Sequence, residues 1–246
     1  MTVRFLNAGD GALTIEFGTA ITPALVAEVA ALEQAVQAAQ ARGGLPGVIE
    51  TVPTFRSLTV LYDPLLTSRA VLDAALRALL GQRQAAQPAP ARRWRLPVCY
   101  GGACGEDLPE VAAACGLSPD AVAALHADTV FTVYMLGFMP GFPFMGGLPA
   151  TLSMPRRSTP RVRVPAGSVA ITGPLTAIYP WESPGGWQLL GRCPVPLFNP
   201  AAAVPVLLAP GDQVCFQAVT AERHNALAQA LASGALQPQA FLEPAP

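Results

Sequence analysis

Four arginines lie close together in this chain, at positions 156, 157, 161 and 163. Arginine presents a planar fork of donors that matches the oxygens of a carboxylate or a phosphate. Arg161 and Arg163 are two residues apart, so on a strand both project from one face, whereas Arg156 and Arg157 diverge. The cluster predicts that at least one of the four contacts an anion. The alternative is solvated surface charge with Asp or Glu partners in the same chain.

Hydroxyl groups follow the arginines in segments rich in glycine and proline. Ser168 and Ser183 lie in turns beside glycines, and Thr176 and Tyr179 lie between them. A hydroxyl beside closely approaching backbone suits hydrogen bonding to a small polar ligand. We therefore predict that these four residues and the four arginines bind substrate or nucleotide; for Ser183, an ordinary turn role is an equal alternative. Neither serine lies in a G-x-S-x-G nucleophile elbow, so a serine-hydrolase triad is not expected.

Residues 137–147, GFMPGFPFMGG, alternate large apolar side chains with turn formers. Exposed aromatic clusters mark binding surfaces. Phe138, Met139, Phe142 and Phe144 are therefore candidates for a partner surface. The alternative is a structural loop that covers one end of a barrel.

Several kinds of chemistry are excluded by composition. All 15 basic residues are arginine, so there is neither a Walker A lysine nor a Schiff-base lysine. His126 and His224 are far apart, and the five cysteines form no C-x-x-C pair, so no metal site is predicted. We expect His126 to cap a helix end. The formal net charge of −1 argues against a nucleic-acid-binding protein.

Neither a secretory signal nor a run of 18 apolar residues is evident in the sequence, and such a run is what an ordinary membrane-spanning helix requires. The sequence therefore predicts a cytoplasmic protein that is not inserted in a membrane.

Residues 1–84 predict an α+β domain with the order β-α-β-β-α. Thr22-Pro23 and Thr67 or Ser68 are typical helix starts. Arg93–Val98 could supply a last strand, which would complete a ferredoxin-like sandwich. The strands are predicted at 13–17, 48–52 and 58–62.

Residues 85–95 are predicted as a linker, because much of the segment is polar and rich in alanine and proline. The second domain, 96–246, begins with a strand and two short helices. Asp107 to Glu110 has capping-box spacing, and Ser118-Pro119 is a second helix start. The many short strands between Gly/Pro turns that follow predict a closed β-barrel.

The same residues carry a resemblance to a known family. The segments GFMPGFPFMGGL, PRRSTPRVRVPAGSVAITG and TAIYPWESPGGWQLLGRCPVPLF, with GDGALTIEFG, GVIETVPTFRSLTVLYDP and LPVCYGG upstream, resemble the family of the 5-oxoprolinase B subunit. That family is related to a bacterial kinase-inhibitor protein and to allophanate hydrolase subunit 1. The resemblance covers nearly the whole chain and is weakest at 22–42 and 82–93.

The resemblance implies a ferredoxin-like domain followed by a cyclophilin-like β-barrel. It also implies stable pairing with the C subunit of 5-oxoprolinase and cooperation with the A subunit. The complete enzyme of the family is an ATP-dependent amidohydrolase that opens 5-oxoproline to L-glutamate. ATP with magnesium is therefore an expected cofactor, in a site that the partner polypeptide completes.

Two other functions stay open at this point. One is a binding protein that inhibits a histidine kinase, and the other is a subunit of a urea- or allophanate-processing enzyme. No general base, metal cluster or nucleophile stands out in the sequence, so we expect the isolated chain to be inactive.

Overall fold

The structure is a computed structural model that describes residues 3–82 and 91–244. The chain divides into two compact units, Met1–Ala89 and Pro90–Pro246. Each unit has a hydrophobic core of its own. Positions 85–90 of the predicted linker lie outside the described residues, and positions 93–95 belong to a strand.

The first unit combines one antiparallel sheet with two helices. The sheet order is β1-β2-β4-β3. Period-two alternation in β2 and β4 places Leu13, Ile15, Leu58 and Val60 in the core. The elements are β1 (Arg4–Asn7), β2 (Ala12–Glu16), α1 (Pro23–Ala41), β3 (Val48–Pro53), β4 (Ser57–Tyr62) and α2 (Arg69–Gln82).

Both predicted helix starts of this unit are found in the structure. The backbone N–H of Leu25 donates to Thr22 Oγ1 over 3.3 Å, and Pro23 occupies the first turn of α1. The N–H of Val71 donates in the same way to Ser68 Oγ, over 3.3 Å, at the start of α2. These local hydrogen bonds satisfy N–H groups that have no partner within the helix.

The predicted source of the fourth strand was wrong. Arg93–Val98 does not extend this sheet, because those residues pair within the second unit. The place beside β2 is taken by β1, which comes earlier in the chain and pairs with β2 as a hairpin. The order β-α-β-β-α from β2 to α2 agrees with the prediction, and the name ferredoxin-like stays a prediction.

The second unit contains the closed β-barrel that the short strands predicted. Seven strands form it, in the order β10-β7-β6-β13-β5-β12-β9. Two further strands, β8 and β11, form a small separate sheet. The elements are β5 (Arg93–Tyr100), α3 (Leu108–Cys115), α4 (Pro119–Asp128), β6 (Phe131–Leu136), β7 (Pro143–Gly146), β8 (Arg161–Val164), β9 (Ser168–Thr172), β10 (Leu175–Ile178), β11 (Ser183–Gly185), β12 (Gln188–Arg192), β13 (Gln213–Ala218) and α5 (Ala221–Ala232).

Strands β5 and β13 form a parallel pair in this barrel, in which Arg93 lies opposite Gln213. A buried carboxylate holds the beginning of the pair together. Asp212 accepts from Arg92 Nε over 2.9 Å and from Trp94 Nε1 over 3.1 Å. Trp94 is 1% exposed, so it forms part of the core at this end of the barrel.

Helices α3 and α4 differ in how their first turns are capped. Ser118 caps α4 as predicted, since its Oγ accepts from the N–H of Ala121 over 3.1 Å. Asp107 makes no capping hydrogen bond to α3, so the predicted capping box was wrong. Among the described residues no single helix is long and apolar enough to cross a membrane, and α3 with α4 would pass only as a pair bent by 91°.

Candidate functional site

A cleft of about 320 Å³ opens on the second unit, between three loop or strand segments. Five aromatic side chains and two arginines line it, together with prolines and glycines. The lining residues are Phe138, Phe142, Phe144, Arg156, Arg157, Pro160, Tyr179, Pro184, Gly185, Gly186 and Trp187. We call this site the aromatic–arginine cleft.

Phe142 lies at the centre of the aromatic side chains. Its ring centroid is 4.8 Å from that of Phe144, 5.1 Å from Tyr179 and 5.9 Å from Trp187. The ring of Phe138 makes an edge contact with it at 5.4 Å. Edge and tilted contacts of this kind are the favoured geometry of aromatic pairs. The cleft therefore has walls fixed by mutual ring packing.

The loop that carries Phe138 is held in an unusual backbone conformation. The N–H of Met139 donates to the carbonyl of Gly137 over 2.8 Å, and Phe138 between them has φ of 68°. This is a γ-turn of the rarer, strained kind. A second turn follows, in which the N–H of Phe142 donates to the carbonyl of Met139 over 3.1 Å and Gly141 has φ of 77°.

This loop contains both a packing residue and an exposed one. Phe142 is 1% exposed, and Phe138 is 68% exposed; Met139 and Phe144 are partly buried. Phe142 therefore has the packing role expected if the segment is a structural loop. An exposed aromatic ring held at positive φ is an outlier that points to a functional role for Phe138.

Tyr179 forms the floor of the cleft and is 1% exposed. Its hydroxyl oxygen accepts from the backbone N–H of Trp187. A Cβ added at Gly185 would lie 2.5 Å from that oxygen, so only glycine permits this approach. Burial raises the pKa of Tyr179, and the nearby guanidiniums of Arg156 and Arg161 oppose the rise. The phenol is thus neutral near pH 7 and supplies no base.

The four clustered arginines have different surroundings. Arg156 and Arg157 line the cleft. Arg163 is outside the cleft lining, where its Nε and Nη2 donate to the two carboxylate oxygens of Glu182, each over 2.9 Å. Arg156 is exposed and has no ion pair with any described carboxylate. Of the four arginines, Arg156 is therefore the main candidate for the predicted anion contact, and Arg157 also lines the cleft.

Asp107 is a site residue that the sequence analysis did not identify. It is 3% exposed and accepts from Arg157 Nη1 over 3.0 Å and from Arg161 Nη2 over 2.5 Å. The backbone N–H of Leu189 also donates to it, over 2.7 Å. The carboxylate thus fixes two arginines of the cluster to the barrel. Its position before an apolar helix suggested a cap, and no local signal revealed these distant partners.

Three of the predicted hydroxyl residues do not reach the cleft. Ser168 and Thr176 are 0% exposed, and Ser168 Oγ donates to the carbonyl of Pro165 over 2.7 Å. Ser183 is partly buried, and its Oγ donates to the carbonyl of Pro184 over 3.3 Å. The prediction that the four hydroxyl residues line one pocket with some of the arginines is corrected accordingly. Arg156, Arg157 and Tyr179 are the members that the structure brings together.

His126 is fully buried and does not cap a helix end, so that expectation was wrong. Tyr100 and Thr176 lie within 2.8 Å of its Nδ1 and 2.9 Å of its Nε2, respectively. Thr176 Oγ1 donates to the carbonyl of Ala170 over 3.1 Å, so it accepts from Nε2–H, and Nδ1 accepts from the Tyr100 hydroxyl. Burial lowers the pKa of His126 to about 3. The neutral ring stacks on Phe216 with centroids 4.9 Å apart.

The described residues do not fit a self-contained site for magnesium and nucleotide. Within residues 3–82 and 91–244, no group of three or more His, Cys, Asp or Glu side chains is placed to hold a metal ion. The chain also has no lysine for the phosphates. The cleft offers aromatic faces and arginine, which suit a small organic anion.

Comparison with known proteins gives the family. Residues 3–208 match the family described as "Carboxyltransferase domain, subdomain C and D". The B subunit of 5-oxoprolinase from Bacillus subtilis (strain 168) is 38% identical over 242 residues, which cover 92% of this chain and 98% of that protein. The chain belongs to the 5-oxoprolinase B-subunit family. The resemblance described above is thereby confirmed.

Solved structures extend the comparison of this B-subunit family member. A crystal structure of TTHA0988 has a TM-score of 0.73 and 38% identity over 89% of this chain. The present chain spans 40% of that longer protein. The urea amidolyase of K. lactis has a TM-score of 0.78 over 98% of this chain and 16% of its own. At 21% identity it shows a shared fold alone.

Proposed function

We propose that this chain is the B subunit of an ATP-dependent 5-oxoprolinase complex, which opens 5-oxoproline to L-glutamate together with the A and C subunits. The observation that carries the proposal is the 38% identity to the Bacillus subtilis B subunit over 98% of its length. The name of that relative describes one subunit of an enzyme. A role within a multi-subunit hydrolase follows from it.

The chemistry of the cleft agrees with a contribution to substrate binding. Tyr179 is buried and neutral, and His126 is enclosed in the barrel with its pKa lowered to about 3. Neither is placed to act as a base on a ligand in the cleft. This chain's residues therefore bind and orient the substrate and shield it from water, and we assign no phosphoryl transfer to them.

The nucleotide and its magnesium ion belong, in this proposal, to a site that another subunit provides or completes. The supporting observation is the poor fit of the described residues to such a site. Phe138, exposed beside the cleft, is then the point at which the partner polypeptide packs. Met139 and Phe144 support this loop from partly buried positions.

Co-expression with the neighbouring reading frames tests the proposed function. We expect the purified complex to form glutamate and ADP from 5-oxoproline, and the isolated chain to form neither. Phosphate release with urea or allophanate but not with 5-oxoproline would instead assign the chain to a urea-processing enzyme. Capture of a histidine kinase, unaffected by 5-oxoproline or ATP, would favour the inhibitor function.

A further inference from the structure

The aromatic–arginine cleft has a charge and a shape that define a class of ligand. We propose that it is a subsite for a small ring-shaped monocarboxylate and that Arg156 binds the carboxylate. The identification of that ligand as 5-oxoproline rests on the proposed function, whereas the ligand class rests on the cleft alone.

The carboxylates around the arginine cluster pair with some of its guanidinium groups and not with others. Asp107 is shared by Arg157 and Arg161, and Arg161 Nε also donates to Glu106 over 2.6 Å. Among the described residues, Arg156 is the member of the cluster without such a partner. One uncompensated guanidinium matches one negative charge. A nucleoside triphosphate carries several, and the described part of the chain offers no metal cluster to offset them.

The guanidinium of Arg157 is fixed in place. Asp107 is 3% exposed and holds Arg157 Nη1 at 3.0 Å. The Nε of Arg157 is buried and has no hydrogen-bond partner within the described structure. A buried donor without an acceptor is destabilising. Both arginines line the cleft, so a carboxylate bound by Arg156 would offer its second oxygen as an acceptor to the guanidinium of Arg157.

The walls of the cleft are aromatic. Phe142, Tyr179 and Trp187 are each at most 4% exposed and pack against one another. Their ring faces and edges suit the apolar methylene face of a small saturated ring. The cleft volume of about 320 Å³ lies near the lower end for ligand pockets, which run from about 300 to 1,000 Å³. A compact ring with one carboxylate satisfies both the volume and the charge.

Calorimetric titration of the full chain, alone and in the co-expressed complex, tests the subsite. The probes are 5-oxoproline, the neutral ring 2-pyrrolidone and ATP. We expect 5-oxoproline to bind at least about tenfold more tightly than 2-pyrrolidone, because a charged hydrogen-bonded pair is lost with the neutral ring. Arg156→Gln should weaken 5-oxoproline binding by about tenfold or more. ATP should show no competition for the cleft.

Arg163→Gln is the matched control, because it removes an arginine of the same cluster that pairs with Glu182 outside the cleft. It should leave binding within about twofold of the unmodified chain. Arg156 is exposed, so we expect both variants to keep the thermal unfolding midpoint of the unmodified chain, which excludes misfolding as the cause of lost binding.

Three results would overturn the subsite: equal binding of the neutral ring, unchanged binding by Arg156→Gln, or no binding of 5-oxoproline by the unmodified chain in either form. A complex that turns over 5-oxoproline with an unchanged KM in Arg156→Gln would remove the subsite and leave the proposed function standing. Arg156-dependent binding of a monocarboxylate by a complex without 5-oxoprolinase activity would support the subsite and contradict the proposed function.

Discussion

His126 shows how burial alone determines the state of a titratable residue. The ring is 0% exposed, and both of its nitrogens have hydroxyl partners, Tyr100 and Thr176. With Nδ1 as the acceptor and Nε2–H as the donor, the arrangement fits the neutral imidazole. Protonation at Nδ1 would place a second donor against the Tyr100 hydroxyl in a water-free interior.

This arrangement predicts a loss of stability in acid. The pKa of His126 is lowered to about 3 in the folded protein, against about 6.5 in the unfolded chain. The histidine therefore favours folding fully above about pH 6.5, and this contribution declines as the pH falls toward the folded value. Urea unfolding should show a free energy of unfolding that falls by up to about 1.4 kcal/mol per pH unit from this group.

The variant His126→Phe separates this effect from the carboxylates. Its free energy of unfolding should be lower at pH 7, because Tyr100 and Thr176 lose a buried partner. Its decline between about pH 6 and pH 4 should be shallower than that of the unmodified chain. Parallel declines for the unmodified chain and His126→Phe would contradict the assignment.

At the scale of single residues, the sequence predicted which side chains make polar contacts better than it predicted which residues they contact. Arg156 and Tyr179 were predicted for a pocket, and both line the cleft. Asp107 was interpreted as a helix cap because the sequence shows its neighbours in the chain and not Arg157 and Arg161, which lie 50 and 54 residues away. Thr176 appeared suited to a ligand for the same reason, since nothing local indicates that His126 binds it.

At the scale of elements, the loop of residues 137–142 contains one phenylalanine that packs in the interior, Phe142, and one that is exposed to solvent, Phe138. Phe142→Ala should lower the free energy of unfolding by about 3–5 kcal/mol, because it removes the central ring of the aromatic cluster. Phe138→Gly should leave stability unchanged or raise it by about 1 kcal/mol, because glycine adopts positive φ without strain. Urea denaturation of the isolated chain measures both changes.

Association with the co-expressed subunits tests whether Phe138 contacts a partner polypeptide. Phe138→Gly should weaken retention of the partner on an affinity column at protein concentrations where the unmodified complex stays intact. Val162→Gly is the control, because Val162 is an apolar side chain of the same unit that is 83% exposed and is absent from the cleft lining. Unchanged retention with Phe138→Gly would limit Phe138 to a ligand-contacting role.

Elements that depend on local signals were predictable, and elements that depend on distant pairing were not. Thr22 and Ser118 begin helices through hydrogen bonds that span three residues, so their sequence context suffices. Strand β5 was recognised as a strand, but its apolar residues fit either unit. Its partner β13 lies more than a hundred residues away, and periodicity carries no information about which strand pairs with it.

At the scale of the whole molecule, the start of the barrel differs from the predicted boundary at residue 96. Trp94 is buried, and Arg92 and Trp94 both donate to Asp212. A fragment 90–246 should therefore unfold cooperatively on its own. A fragment 96–246 should be less stable by at least about 3 kcal/mol, because it lacks Trp94 and leaves a buried carboxylate without these partners.

Urea denaturation of the two fragments, followed by far-UV circular dichroism, makes this comparison. The variant Trp94→Phe in the longer fragment should have a stability between those of the two fragments. It keeps strand β5 and an aromatic ring at position 94 but removes the indole N–H that donates to Asp212. Equal midpoints for the two fragments would place the boundary at residue 96 after all.

The parallel pair of β5 and β13 also has a consequence for the newly made chain. Arg93 faces Gln213, which is synthesised about 120 residues later, or roughly 6 to 24 seconds at ordinary rates of translation. During that interval the first unit has all four of its strands, whereas Leu96 and Val98 of β5 lack their neighbour in the closed barrel. The growing chain thus carries one completed sheet and one open one, and the open edge is a binding site for a chaperone until β13 has been made.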